Sequence, residues 1–255
     1  MKHAFETLVG EVHAALQAGE QFTLGYSAEQ SQFVRFNHAK VRQAGEVSQA
    51  SAQLRLVRDG RQAEQQVTLS GDLQLDRQRL NVALEQLRQT LPLLALDPYL
   101  RLDENAWHSH SLQEHPLPAL NEVLALLERE AGDLDLVGIY AAGPVCRGFA
   151  SSFGAFGWHQ ANSFNVDWSL FHDNGQAVKA NYAGQVWSAD DFAARLRQAR
   201  EQLGFLGRPA VTLKPGTYRA YLAPAAMDEV AGMLCWGGFS AQALATGNSA
   251  LQRLY

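Results

Sequence analysis

Gln53-Leu54-Arg55-Leu56-Val57-Arg58-Asp59-Gly60-Arg61-Gln62 is the stretch that decides the class of fold. Leu54 and Leu56 alternate with Arg55 and Val57, as a strand with one buried face requires. Asp59-Gly60 readily supplies the two positive φ values of a type I′ turn, so the segment reads as a β-hairpin. Val67 and Leu69 close its return arm. Working back, Val47 to Gln53 is mostly polar and predicts a strand that is solvated on one side or lies at a sheet edge. Lys40 to Gln43 begins a return strand from Phe33-Val34-Arg35-Phe36, with Asn37 and His38 in the turn. Phe22, Leu24 and Tyr26 alternate in the same way. Before them, Phe5, Leu8, Val9, Val12 and Leu16 form one apolar stripe at helical spacing, with Gly19 as its stop.

Downstream, Leu80, Leu84, Leu87 and Leu91 mark a second helix, with Asp76 as its cap and Pro92 as its stop. Pro92 to Pro118 has no period and reads as a loop, and a third helix follows from about Ala119 to Ala131. The chain then turns to β structure. Strands are expected at Leu136–Ala141, Cys146–Ser152, Gln160–Phe171 and Gln176–Tyr182. Asp173-Asn174-Gly175 is a hairpin turn, and Gly148, Gly154 and Gly157 are read as bulges or corners. Ser188 caps a helix with Phe192, Leu196, Ala199 and Leu203 on one face and Gly204 as its stop. Lys214-Pro215-Gly216 is a turn, Tyr218–Ala223 a short strand, and Met227, Val230, Ala231 and Leu234 lie on one face of a last helix. Adjacent strands joined by tight turns make the class α+β, antiparallel sheets with packed helices, not a doubly wound fold.

The 255 residues are 47% hydrophobic and 18% charged, enough apolar content for a sizeable core. A net charge of −5 without a basic run offers no electrostatic footprint for nucleic acid. The Arg- and Gln-rich composition suits a high-GC bacterial coding sequence. No stretch approaches the roughly 18 apolar residues of a membrane span. Cys146 and Cys235 fit no metal or redox spacing and read as two buried thiols, which points to a reduced, cytoplasmic protein.

Several constellations are candidates for chemistry. His108, His110 and the later His115 could ligate a metal, since on a strand the first two share a side. A polar surface loop is the blander reading of the same residues and the favoured one. His159 and His172 bracket an aromatic segment that reads as core. Gly143-Pro144-Val145-Cys146-Arg147-Gly148 has the glycines of a phosphate loop but lacks GK[ST], and Pro144 removes a backbone donor. There is no HExxH, HExxxH or GxSxG, so the residues alone assemble no active site.

Four segments resemble the TldD/PmbA family in order and spacing. Leu54 to Arg61 is similar to its "VRVLVDGRWG"-like strand and turn, and Val34 to Val41 to its "R-x-x-N-G-x-V" element, with His38 where Gly is common. Gly148-Phe149-Ala150-Ser151-Ser152-Phe153-Gly154 resembles the start of its central segment. Lys214-Pro215-Gly216-Thr217-Tyr218 with Leu222-Ala223-Pro224-Ala225-Ala226 resembles its "KPGxYxVVLSPEA" element. By that resemblance, residues 1–215 form the family's N-terminal and central α+β region. Residues 216–255 begin a C-terminal domain that usually continues much further. TldD-type members carry HExxxH on the helix that follows, two zinc ligands and a general base. Here that position holds Gly232, Met233, Leu234, Cys235, Trp236 and Gly237: both His positions are Gly and the Glu position is Met, and neither Gly nor Met can supply the ligand or the base.

The resemblance therefore implies a PmbA/TldE-like component that is not catalytic by itself. It would act within a TldD/TldE-type zinc metallopeptidase system on small or unfolded peptides. Zinc is expected only in a TldD-like partner and no cofactor in this chain. Partners would be that protein, as a heterodimer, or a second copy, with Cys235, Trp236 and Gly237 as cavity-lining or partner-facing residues. Nucleic acid and membrane are not expected. The alternatives are an independent metal enzyme built on His108, His110 and His115, or a binding and assembly module with no peptidase role.

Overall fold

Asp59 (φ 51°) and Gly60 (φ 70°) both occupy the left-handed region and turn the chain between Lys40–Arg58 and Arg61–Leu69. These are β2 and β3 in the computed structural model, which describes residues 1–254. The chain divides into a first unit, Met1–Gly207, and a second from Arg208 onward. The first unit carries β1 (Gln21–Asn37), β2, β3, β4 (His108–Gln113), β5 (Asp135–Ser151), β6 (Phe156–Phe171) and β7 (Ala177–Gly184). They make one sheet in the order β3-β2-β1-β5-β6-β4, with β7 also paired to β6. Every pair is antiparallel except β4 with β6. The α+β class stands, as a single sheet.

The central strands are long. β1 has 17 residues, about 56 Å at 3.3 Å per residue. Helices α1 (Lys2–Ala14) and α2 (Leu73–Thr90) cover one end, and α3 (Leu120–Ala131) and α4 (Ala189–Leu206) the other. Alternation fixes which face they share. On β1, Phe22, Leu24, Tyr26 and Ala28 belong to the α1/α2 core and Val34 and Phe36 to the α3/α4 core. All are even-numbered, and even pairs with even across β2, β1, β5 and β6. Both helix pairs therefore lie on the same face of the sheet. The opposite face carries Thr23, Ser27, Glu29, Arg55, Asn165 and Asp167.

Several local expectations are corrected. Pro92–Pro118 holds β4, which its polar sequence conceals and which hydrogen bonding to β6 stabilises. Leu136–Ala141 and Cys146–Ser152 are one strand, β5. Tyr218–Ala223 is not a strand, and no described strand pairs with it. The first helix ends at Ala14, before Gly19, and the fourth runs past Gly204 to Leu206. Gly148 sits inside the paired β5 rather than at a bulge; the Phe5 ring lies over it, and a Cβ there would come within 2.7 Å of that ring. The cap of α2 is Asp72, which accepts from the Gln74 and Leu75 amides. Asp76 is buried, and its carboxylate accepts from the Ser70 and Gly71 amides and the Ser70 hydroxyl.

One buried ion pair ties the first helix pair to the sheet. Arg88 of α2 donates to both Glu20 oxygens, at 2.8 and 2.7 Å, and to the Ala15 carbonyl. The Glu20 side chain is fully buried and also accepts from the Gln17 amide at 2.8 Å. The hydrogen bond from Arg88 holds the Glu20 carboxyl below its ordinary range, against the opposing effect of burial. A carboxylate with a depressed folded pKa stabilises the fold above its unfolded pKa and loses that contribution as pH falls through the folded value.

In the second unit, α5 (Pro224–Cys235) and the short α6 (Ala241–Ala245) follow a stretch, residues 208–223, without helix or strand. No residue of α5 is buried. No helix of the described residues is long and apolar enough to cross a membrane.

Glu20→Gln should cost about 3 kcal/mol, because it leaves Arg88 without a buried counter-charge. The deficit relative to the parent, read from thermal melts, should be full at neutral pH and shrink below about pH 4 as Glu20 protonates. A second turn gives an opposite test. His38 (φ 50°) and Ala39 (φ 55°) hold left-handed conformations without glycine. Ala39→Gly should therefore raise the melting temperature, by the equivalent of roughly 1 kcal/mol.

Candidate functional site

The inward face of the sheet changes character between the two helix pairs. Along β1 the even positions run Phe22, Leu24, Tyr26, Ala28, then Gln30 and Gln32, then Val34 and Phe36. The same rows hold Glu46 and Ser48 on β2, Ala142 and Pro144 on β5, and Asn162 on β6. Neither helix pair reaches these rows, and a cleft of about 460 Å³ opens there. Gln30, Gln32, Glu46 and Ser48 line it on one side, and Tyr140, Ala142, Gly143 and Pro144 on the other. Leu117 and Pro118, from the segment leading into α3, form a wall. That segment is held to the sheet by Gln160 Nε2 donating to Glu114 Oε1 at 2.9 Å and by Asn162 Nδ2 donating to the His115 carbonyl at 3.0 Å.

The floor of the cleft is a break in the β ladder. Glu29 pairs with Val145 and Gln32 with Ala142, but Gln30 and Ser31 have no partner on β5. Pro144 has no N–H to give. Gly143 passes so close to β1 that a Cβ there would overlap the Gln30 carbonyl oxygen and lie 2.8 Å from Ser31 Cα.

The outer edge of the cleft is also open. β3 pairs with β2 from Ala50 to Arg58 and stops, so Lys40–Gln49 has a partner on β1 only. An unpaired strand edge offers a row of backbone donors and acceptors.

Tyr140 supplies the least ordinary group. Its ring is buried, and its hydroxyl, which makes no hydrogen bond to any described residue and is not among the fully buried unpartnered atoms, opens onto the cleft. Burial pushes its pKa up to about 12, so it remains a neutral donor and acceptor at physiological pH. The side chains of Gln30, Gln32 and Glu46 likewise have no hydrogen-bond partner among the described residues. Four polar groups thus meet in one cleft with their bonding capacity unused. They can bind and orient a polar ligand; no nucleophile paired with a base is present among them.

Of the residues singled out from the sequence, Gly143 and Pro144 line the cleft and the others fall elsewhere. His108 and His110 lie on β4, both exposed, and His108 stacks on Phe156 at 5.1 Å. His115 lies beyond that strand, in the segment that forms the cleft wall. No group of three or more His, Cys, Asp or Glu among the described residues is placed to hold a metal ion. His159 is exposed on the face opposite the helices, and His172 Nδ1 accepts from the Asn174 amide in the β6–β7 turn.

Gly232, Met233, Leu234 and Cys235 lie on the last turn of α5. Trp236, 94% exposed, follows as its C-cap, and Gly237 (φ 87°) turns the chain away. Cys146 is a buried thiol as expected, whereas Cys235 is exposed. The sequence did carry a signal for the cleft: the paired interruptions Gln30/Gln32 and Gly143-Pro144 in otherwise alternating or apolar strands. Read locally, Gly143-Pro144 resembles no more than a phosphate loop without its GK[ST].

No family model and no curated protein matches the sequence. Solved structures do match. TldE from Thermococcus kodakarensis superposes over 97% of this chain with a TM-score of 0.64 at 15% identity. The chain has the fold of TldE. It spans 57% of the TldE chain's length. A proposed modulator of DNA gyrase from Bacteroides thetaiotaomicron superposes over 79% of this chain and 49% of its own, with a TM-score of 0.52 at 15% identity.

The close approach at Gly143 gives a direct check. Gly143→Ala should force β1 and β5 apart and destabilise the protein by about 1–3 kcal/mol. Gly10→Ala, on α1, where an added Cβ meets nothing within 4 Å, should instead stabilise it by roughly 0.5–1 kcal/mol. Thermal denaturation of the two variants reads both signs.

Proposed function

We propose that this chain is a TldD/PmbA-family protein of the TldE kind, a non-catalytic component of a TldD/TldE-type zinc metallopeptidase system that acts on small or unfolded peptides. The observation that carries the reading is the TldE fold over 97% of the chain, combined with a sequence from Ala225 to Leu251 that contains no histidine. Gly232 and Gly237 stand where the resemblance sets the two zinc-binding histidines, and Met233 where it sets the general base. Neither Gly nor Met can provide those groups.

In this reading the chain contributes grip rather than chemistry. The open edge of β2 from Lys40 to Gln49 can pair with an extended peptide through main-chain hydrogen bonds, which read no particular side chain. An unfolded peptide offers the complementary backbone. The hydrolysing zinc would belong to a TldD-like partner, and the complex would work in the cytoplasm. The alternative, a binding or assembly module without a peptidase role, shares the grip and lacks the partner.

Co-expression with a protein bearing HExxxH on the corresponding helix tests the choice. Co-purification in a fixed ratio is expected, with zinc present in the complex and none retained by this chain purified alone. Stoichiometric zinc in the isolated chain would overturn the non-catalytic reading. Failure to co-purify with any such partner from the same genome would leave the assembly-module reading in its place.

A further inference from the structure

We propose that the cleft between the two helix pairs is a side-chain subsite that selects a basic residue, lysine or arginine, in the peptide gripped along β2. The inference rests on the peptide-gripping reading above and adds to it a specificity that main-chain pairing cannot supply.

Three observations converge on the same rows of the sheet. The first is position. A strand added at the open edge of β2 lies next to Glu46 and Ser48, and its side chains alternate between the two faces. Every second side chain therefore falls on the helix-bearing face, beside Glu46 and at the mouth of the cleft.

The second is charge. Among the described residues Glu46 is the only charged one that lines the cleft, and it has no ion-pair or hydrogen-bond partner among them. Glu114, at the head of the wall segment, does not line the cleft and accepts from Gln160. Arg35, Lys40 and Arg42 lie further out towards the β1–β2 turn and do not line the cleft. A cationic side chain entering it meets one free carboxylate and no competing cation.

The third is the Tyr140 hydroxyl. The Tyr140 side chain is almost wholly buried, but its hydroxyl oxygen is not among the fully buried unpartnered atoms, so it opens onto the cleft, where water or a ligand can meet it. Tyr140 lines the cleft, and its hydroxyl has no protein partner. With the Gln30 and Gln32 amides it can accept the N–H groups of an ammonium or guanidinium, the groups that Glu46 neutralises. Apolar Leu117, Pro118 and Ala142 suit the methylene stem that such a side chain carries.

Binding of three fluorescently labelled peptides to the full chain tests this: Ala-Ala-Lys-Ala-Ala, Ala-Ala-Gln-Ala-Ala and Ala-Ala-Glu-Ala-Ala, measured by anisotropy at physiological salt. The lysine peptide should bind about tenfold more tightly than the glutamine peptide and more tightly still than the glutamate peptide. Glu46→Gln should abolish that difference, whereas Glu201→Gln, an exposed carboxylate on α4, should leave it intact. Tyr140→Phe should weaken the lysine peptide several-fold without lowering the melting temperature, since the hydroxyl holds nothing in the free protein.

Equal binding of all three peptides, or a lysine preference that Glu201→Gln reduces as much as Glu46→Gln, would overturn the subsite and leave the main-chain grip standing. A Tyr140→Phe variant that binds normally but melts lower would also overturn it, by giving the hydroxyl a structural role. Binding of none of the peptides would overturn both the subsite and the grip on which it rests.

Discussion

The mismatch between strand length and helix length governs this structure. Strands β1, β5 and β6 run for 16 or 17 residues. The longest helices of the first unit, with 18 residues, extend about 27 Å. No single helix pair can cover such strands, and two pairs on one face must either abut or leave a gap. Here they leave a gap, and the sequence at the gap is written for water: Gln30, Gln32, Glu46 and Ser48 stand where apolar residues would be wasted. The two cores are separate clusters for the same reason, one around Phe5, Leu24, Leu54 and Trp158, the other around Tyr140, Trp168 and Phe192.

Each cluster is locked differently. At the α1/α2 end, the buried Glu20–Arg88 pair joins the close of α1, the entry to β1 and the last turns of α2. Aromatic packing dominates the α3/α4 end. Phe164, Tyr182, Trp187 and Phe192 contact one another with ring centroids 4.9–6.0 Å apart. The sheet is the only element shared by both ends, so a ligand seated between them would touch strands rather than helices. Such a seat is stiff: its side chains project from a ladder hydrogen-bonded on both sides of β1, apart from the two positions opposite Gly143 and Pro144.

Much of this fold was legible in the residues. Asp59-Gly60 announces its turn, because few other dipeptides adopt two positive φ values at so little cost. The helices were legible from their stripes, though their ends were not. Capping depends on which side chain reaches which amide, and Asp72 and Asp76 are both four residues or fewer from the first amides of α2. The parallel strand β4 was hidden because His-Ser-His-Ser has no apolar alternation; its pairing to β6 is a long-range fact. The cleft was half visible. Its residues break an inward pattern that runs true on either side, yet nothing local shows that the breaks on β1, β2 and β5 fall in the same rows. Register across strands supplies that, and register is not written in any one strand.

Two independent shortfalls meet at these rows. The ladder between β1 and β5 fails opposite Pro144, and the ladder on the outer side of β2 ends at Ala50, where β3 runs out. Strand edges in folded proteins are usually blunted by charge, proline or bulges. The outer part of this edge follows that rule, with Lys40, Arg42 and an irregularity at Arg35/Phe36. From Ala44 to Gln49 the edge carries neither Lys, Arg nor Pro, and its one charge is Glu46, on the helix-bearing face. Glu46 alone can discourage a second sheet from pairing here, but it does not account for the unpaired Gln30, Gln32 and Tyr140 groups beside it. Those groups are accounted for if the open rows have an occupant, one whose backbone completes the ladder and whose side chain finds the unpaired groups of Glu46, Gln32 and Tyr140.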